Sequence, residues 1–169
     1  MTVSTVRTTI DPTALLRRAS YAVSRLELPR ARAGASIAPE HAGAAAVATA
    51  LAGRRHLWAR HARFDPNGPV DVPVWHDDRW EATLGAWLPG QSTGARAHLH
   101  RPGALLVLQG ELEESTWLVA TDGPQPGRRH AVVRRYAAGS LRSHGTVHVH
   151  DLRNAGTDPA LALHIHERA

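Results

Sequence analysis

The 169-residue sequence contains no cysteine. Disulfides, thiolate catalysis and thiolate metal sites are therefore excluded, and any metal must be held by histidine, carboxylate or water. Lysine is absent as well: all 20 basic residues are arginine, set against 15 Asp+Glu for a formal net charge of +5. These arginines fall in scattered pairs (Arg17/Arg18, Arg54/Arg55, Arg128/Arg129, Arg134/Arg135) and never form a run flanked by stacking aromatics. A solvated surface, with no nucleic-acid partner, is the expectation. No segment approaches the roughly 18 consecutive apolar residues of a membrane span, and "MTVSTVRTTIDPTALLRR" lacks the basic and then apolar regions of a secretory signal. A soluble, cytoplasmic protein with no membrane partner is expected.

Hydrophobic residues make up 43% of the chain, enough to build a core, and the expectation is a single domain over 1–169. Its front half reads as helix. "IDPTALLRRASYAVSRL" offers Asp11 as N-cap and Pro12 at the first helical position, then Leu15, Leu16, Ala19, Ala22, Val23 and Leu26 at helical spacing. "APEHAGAAAVATALAGRRHLWARHARF" offers Pro39 as a second start and Gly53 as a break. Pro66, Gly68, Pro69 and Pro73 then forbid further helix.

From Trp75 the period changes to two. Short apolar or alternating runs ("RWEATLGAW", "GALLVLQGEL", "ESTWLVA", "RHAVVRRYAA", "VHVHDLRN", "ALALHIHE") are separated by turn signals such as "LPGQSTG", "TDGPQPG" and "NAGTDP". The expectation is a mainly β protein, a small antiparallel barrel or jelly roll of six to eight strands within residues 70–167, preceded by a helical segment over 1–66.

Of the 12 histidines, His98, His100, His144, His148, His150, His164 and His166 lie in or beside these strands. Three pairs, 98/100, 148/150 and 164/166, have His-X-His spacing. Each such pair aims two imidazoles from one strand in one direction, and a neighbouring strand can supply a third, which is how a mononuclear metal site with open positions is assembled.

"WLPGQSTG", the histidine strand, "VLQGEL" and "HVHDLRNAGTDPALALHIH" together resemble the bacterial form of the cysteine dioxygenase branch of the cupin superfamily, from about Arg63 nearly to the C-terminus. Gly139, five residues, Gly145 where proline is usual, His150 and Asn154 match the second cupin motif, and the resemblance implies that His150 is an iron ligand. Counted back from Gly110 without gaps, the family's second ligand falls on His98 and its first on Arg96, which cannot ligate because its guanidinium stays protonated. Either the strand register slips by two, making His98 and His100 the pair, or His98 and His150 act with something else. A slip of two keeps side chains on one face, and the expected triad is His98, His100 and His150.

The resemblance also marks departures. Where the family's carboxylate-binding arginine would fall, the sequence has "NGPVDVPVW", near Val72, and the family's tyrosine position two residues after His164 is His166. Gly103 matches the bacterial pattern, in which the crosslinking cysteine of the animal enzymes is missing. The implied protein is a mononuclear non-haem iron oxygenase that uses Fe(II) and O2 on a small polar substrate that need not be cysteine. His164 and His166 are then catalytic groups and Arg96 a substrate-binding group. Two alternatives stay open: a nickel, copper or manganese cupin enzyme, and a degenerate cupin that only binds a ligand. A monomer or homodimer is expected.

Overall fold

In a strand, neighbouring side chains face opposite sides, so a strand that is apolar at every position is covered on both. "ALLVLQ" and "ALALHI" read in this way, and both strands lie in the middle of a sheet. The structure is a computed structural model that describes residues 43–99, 101–119, 128–145 and 147–168. The expected helix over 11–26 lies outside the described residues. The alanine-rich stretch forms α1 (Ala44–Gly53). Gly53, the expected break, is its last residue, and the chain bends at Arg54 before the short α2 (Arg55–Trp58) and a 3-10 turn (Ala59–His61). The buried Trp58 indole donates at 3.1 Å to the Leu51 carbonyl, which also accepts from the Arg54 N–H at 2.9 Å, so the indole ties α2 to the end of α1. No helix among the described residues is long and apolar enough to cross a membrane.

The strands are β1 (Val70–His76), β2 (Trp80–Trp87), β3 (Arg96–Leu99), β4 (Gly103–Gln109), β5 (Glu111–Val119), β6 (Arg128–Ala137), β7 (Leu141–His144), β8 (Val147–Arg153) and β9 (Ala160–Glu167). They form two antiparallel sheets, one ordered β1-β2-β9-β4-β7 and the other β3-β8-β5-β6. The mainly β class is as expected. A closed barrel is not seen among the described residues, where nine strands, rather than six to eight, run from Val70 to Glu167 as two facing sheets in the manner of a jelly roll. Gly110 (φ 74°) and Gly139 (φ 88°) stand where the chain leaves one sheet for the other. Their left-handed backbone, which side-chain-bearing residues rarely adopt, turns the chain sharply there.

The five-stranded sheet uses its faces differently. Ala82, Leu84 and Ala86 of β2, Ala104, Leu106 and Leu108 of β4, and Leu161, Leu163 and Ile165 of β9 form one cluster with Ala44, Val47, Ala48 and Leu51 of α1. The alternate residues face the second sheet. At one end Trp87, Leu105, Val107, Leu112, Leu152, Ala160 and Ala162 close a second apolar cluster; at the other the same rows continue as His164 and His166, and the interior turns polar.

Asn154, the last residue of the second motif, is fully buried and acts as a structural tie. Its amide donates to the Trp87 carbonyl at 3.1 Å and the Asp158 carbonyl at 2.9 Å, and its Oδ1 accepts from the Gly156 N–H at 2.9 Å. It thereby pins the end of β8 to the end of β2 and to the turn that leads into β9.

Gly85 lies under the Trp87 indole, whose Cζ3 would stand 2.7 Å from an added Cβ. Gly85→Ala should therefore displace a fully buried ring and cost about 1–3 kcal/mol, the usual range for overpacking. Urea unfolding checks the loss, and near-UV circular dichroism checks that the indole has moved.

Candidate active site

Between the sheets, past the Trp87 end of the apolar cluster, a cavity of about 190 Å³ is lined by Asp71, Thr83, Thr93, Arg96, His150, Leu152, His164 and His166. At roughly 30 Å³ of liquid volume per water, this space suits a small polar molecule.

Sheet register decides what faces it. In an antiparallel pair, residues directly opposite share a face. Arg96 of β3 stands opposite His150 of β8, and His98 opposite His148; Thr116 of β5 stands opposite His150 from the other side. Alternation then places Glu114 on the same face of β5 as Thr116. From the facing sheet, Gly103 of β4 lies between His144 of β7 and His166 of β9. A Cβ at Gly103 would meet the His144 ring at 2.7 Å, so the missing side chain makes the room in which that imidazole sits. The His144 ring centroid is 6.4 Å from that of His150 and 5.5 Å from that of His166. His164 lies 6.3 Å from His166 and stacks on Trp87 at 5.8 Å and 23°.

His150 and Glu114 are two of three polar or charged side chains that are buried among the described residues, Asn154 being the other. Glu114 is 1% exposed, and a carboxylate so far from water must be surrounded by donors. Its Oε1 lies 2.8 Å from His150 Nδ1. Its Oε2 accepts from the Tyr136 hydroxyl at 3.1 Å and pairs with Arg142 Nε at 2.8 Å. Because an ionised carboxylate only accepts, Nδ1 must carry a proton, and in the neutral ring the lone pair is on Nε2. On the other side of His150 from Glu114, Arg96 Nη1 and Asp71 Oδ2 form an ion pair at 2.8 Å, with both side chains partly open to solvent.

The expected site residues can now be placed. His150, His164, His166 and Arg96 line one cavity. The backbone register puts His98 on the same face of its sheet as His150, diagonally across from it; its side chain, and the whole of His100, lie outside the described residues. Among the described residues no group of three or more His, Cys, Asp or Glu is arranged to hold a metal ion. Sequence reasoning passed over Glu114, Asp71, Tyr136 and Arg142 and gave His144 no role. Glu114 had left a signal: "ELEES" places it in the same alternating row as the fully buried Leu112.

The chain matches the family model described as cysteine dioxygenase type I over residues 38–168. It belongs to the cysteine dioxygenase type I family. The matched span takes in α1 and all nine strands, with every cavity residue named above. Among solved structures it is similar to the protein TT1209 from Thermus thermophilus (24% identity, TM-score 0.51, covering 64% of this chain and 90% of that one). It is also similar to an uncharacterized conserved protein with a double-stranded beta-helix domain from Klebsiella pneumoniae (19% identity, TM-score 0.52, 64% and 84%). At these identities the likeness carries the fold, a cupin, and nothing more. No curated protein matches the chain.

In this family member, burial first, and then the Glu114 charge, raise the Tyr136 phenol above its ordinary value of 10.0. The unfolded chain loses that proton first. The stabilisation is therefore fully present below the ordinary value and is lost as pH rises through the raised folded one. Unfolding free energies measured from pH 9 upward should fall in the native protein and fall less steeply in Tyr136→Phe.

Proposed function

We propose that this protein is a mononuclear non-haem iron oxygenase that uses O2 on a small polar substrate. The observation that carries the reading is the His150–Glu114 pair at the wall of an imidazole-lined cavity, in a chain of the cysteine dioxygenase type I family. A buried imidazole whose Nδ1 is held by a carboxylate is a neutral ligand with a fixed lone pair, and this donor chemistry fits a divalent first-row metal. His150 would hold the metal together with His98 and His100, all three through neutral imidazoles, since the chain offers no thiolate. Bound there, Fe(II) would supply open coordination positions for substrate and O2.

The chain's own groups account for the rest of the chemistry. Arg96 presents a guanidinium to an anionic group of the substrate, and Asp71, 2.8 Å from it, aims that guanidinium and competes with the substrate for it. No arginine occupies the family's carboxylate-binding position on β1; the neighbouring residue is Asp71, of opposite charge. This supports a substrate other than, or in addition to, cysteine. His164 and His166 bring imidazole nitrogens to the inner face, and the buried atoms His164 Nε2 and His166 Nδ1 are placed to hold or move a proton. Trp87, fully buried and stacked on His164, fixes the plane of that ring and keeps water out of the apolar end.

The test is to load the purified protein with Fe(II) under anaerobic conditions and to measure bound iron, then O2 uptake with a panel of small thiols and other small polar molecules. His150→Ala should lose most of the iron. Arg96→Ala should keep the iron and raise KM for an anionic substrate by about 10–100-fold, the equivalent of one charge-assisted hydrogen bond. Unchanged iron content in His150→Ala would refute the ligand assignment, and stoichiometric binding of nickel, copper or manganese in place of iron would refute the choice of metal.

A further inference from the structure

We infer that Glu114 is the positioning residue that sets the tautomer of His150, and that Arg142 is what compels Glu114 to be a carboxylate rather than an amide. The inference deepens the reading above, on which its metal-binding arm rests. Glu114 uses its two oxygens on different partners: Oε1 meets His150 Nδ1 at 2.8 Å, while Oε2 meets Arg142 Nε at 2.8 Å and the Tyr136 hydroxyl at 3.1 Å. Of these partners, Arg142 can only donate, Tyr136 can donate or accept, and the imidazole does either according to its tautomer. A carboxylate accepts on both sides and so forces Nδ1–H on His150, leaving the Nε2 lone pair for a ligand.

An isosteric amide cannot do the same. In Glu114→Gln the amide oxygen must turn towards Arg142, because an NH2 group there would face an N–H that can only donate. The NH2 group is then turned towards His150 Nδ1, which becomes an acceptor, and the ring proton moves to Nε2, where it blocks ligation. One atom's change at Glu114, 36 residues away in sequence, thus switches off the lone pair through Arg142. Replacing Arg142 by methionine removes that obligate donor. The amide can then turn its oxygen back to Nδ1, while the Tyr136 hydroxyl accepts from its NH2. Because the Tyr136 hydroxyl can accept from the NH2 or donate to the oxygen, both amide orientations are then open, and Glu114→Gln/Arg142→Met should recover part of what Glu114→Gln loses, which a purely packing role for Glu114 would not do.

The test uses the full chain. Nitrogen-15 NMR of the metal-free protein reports which His150 ring nitrogen bears the proton, and a Co(II) titration reports affinity. The wild-type protein should show Nδ1–H. Glu114→Gln should show Nε2–H and bind Co(II) about 10–100-fold more weakly, the usual effect of losing a partner behind a ligand; the double variant should return both towards wild type. An Nε2–H tautomer in the wild-type protein overturns the inference without need of any variant, and so does a folded Glu114→Gln that keeps Nδ1–H. A double variant with no more Nδ1–H than Glu114→Gln alone overturns the role given to Arg142. If the tautomer switches as expected but the wild-type protein binds no Co(II), the inference stands and the metal reading fails.

Discussion

A carboxylate removed from water is tolerable only when donors surround it, and Glu114 obliges three other strands to supply them. It rises from β5, meets Tyr136 on β6 and His150 on β8, all in the four-stranded sheet, and reaches Arg142 on β7 of the other sheet. Leaving any of these groups out would strand a buried charge, a cost of several kcal/mol in proteins generally. The relative placement of the two sheets at the cavity is thus tied to one side chain, and the orientation of His150 comes with it.

A second ion pair crosses between the sheets on the opposite side. β1 and β3 are edge strands, one of each sheet, and Asp71–Arg96 joins them. The two pairs differ in what they can do. Arg142 and Glu114 are largely shielded from solvent and their attraction is weakly screened, so they act as a fixed scaffold. Asp71 and Arg96 are half open to water, where an exchange of ionic partners costs little. The cavity therefore has one rigid side, which fixes His150, and one exchangeable side beside it, which can meet a substrate's charge.

The histidines divide along the same line. His150 is locked by its carboxylate, His164 is held flat against Trp87, and His144 and His166 flank Gly103, where any larger residue would intrude on the His144 ring. Identical side chains thus receive different freedom from their neighbours, and with it different chemistry. The apolar half of the interior, from Trp87 to Leu112, offers no polar competitor and confines the ligand to the histidine end.

The sequence by itself determined the local features. A period of two from Trp75 onward marks strands, because a pleated backbone sends alternate side chains to opposite faces. The positive-φ turns at Gly110 and Gly139 follow from what a missing Cβ allows. The absence of cysteine limited any metal site to imidazole and carboxylate, and the "HVHDLRN" motif drew attention to His150. Tertiary structure alone decided the open pair of sheets in place of a barrel, the pairing of Arg96 across from His150, and the meetings of Glu114 with His150 and Asp71 with Arg96, 36 and 25 residues apart in sequence. The physical reason is that alternation says which face a side chain takes but not which strand lies opposite. Partnership across sheets depends on register and crossover, and these are set by the packing of the whole chain.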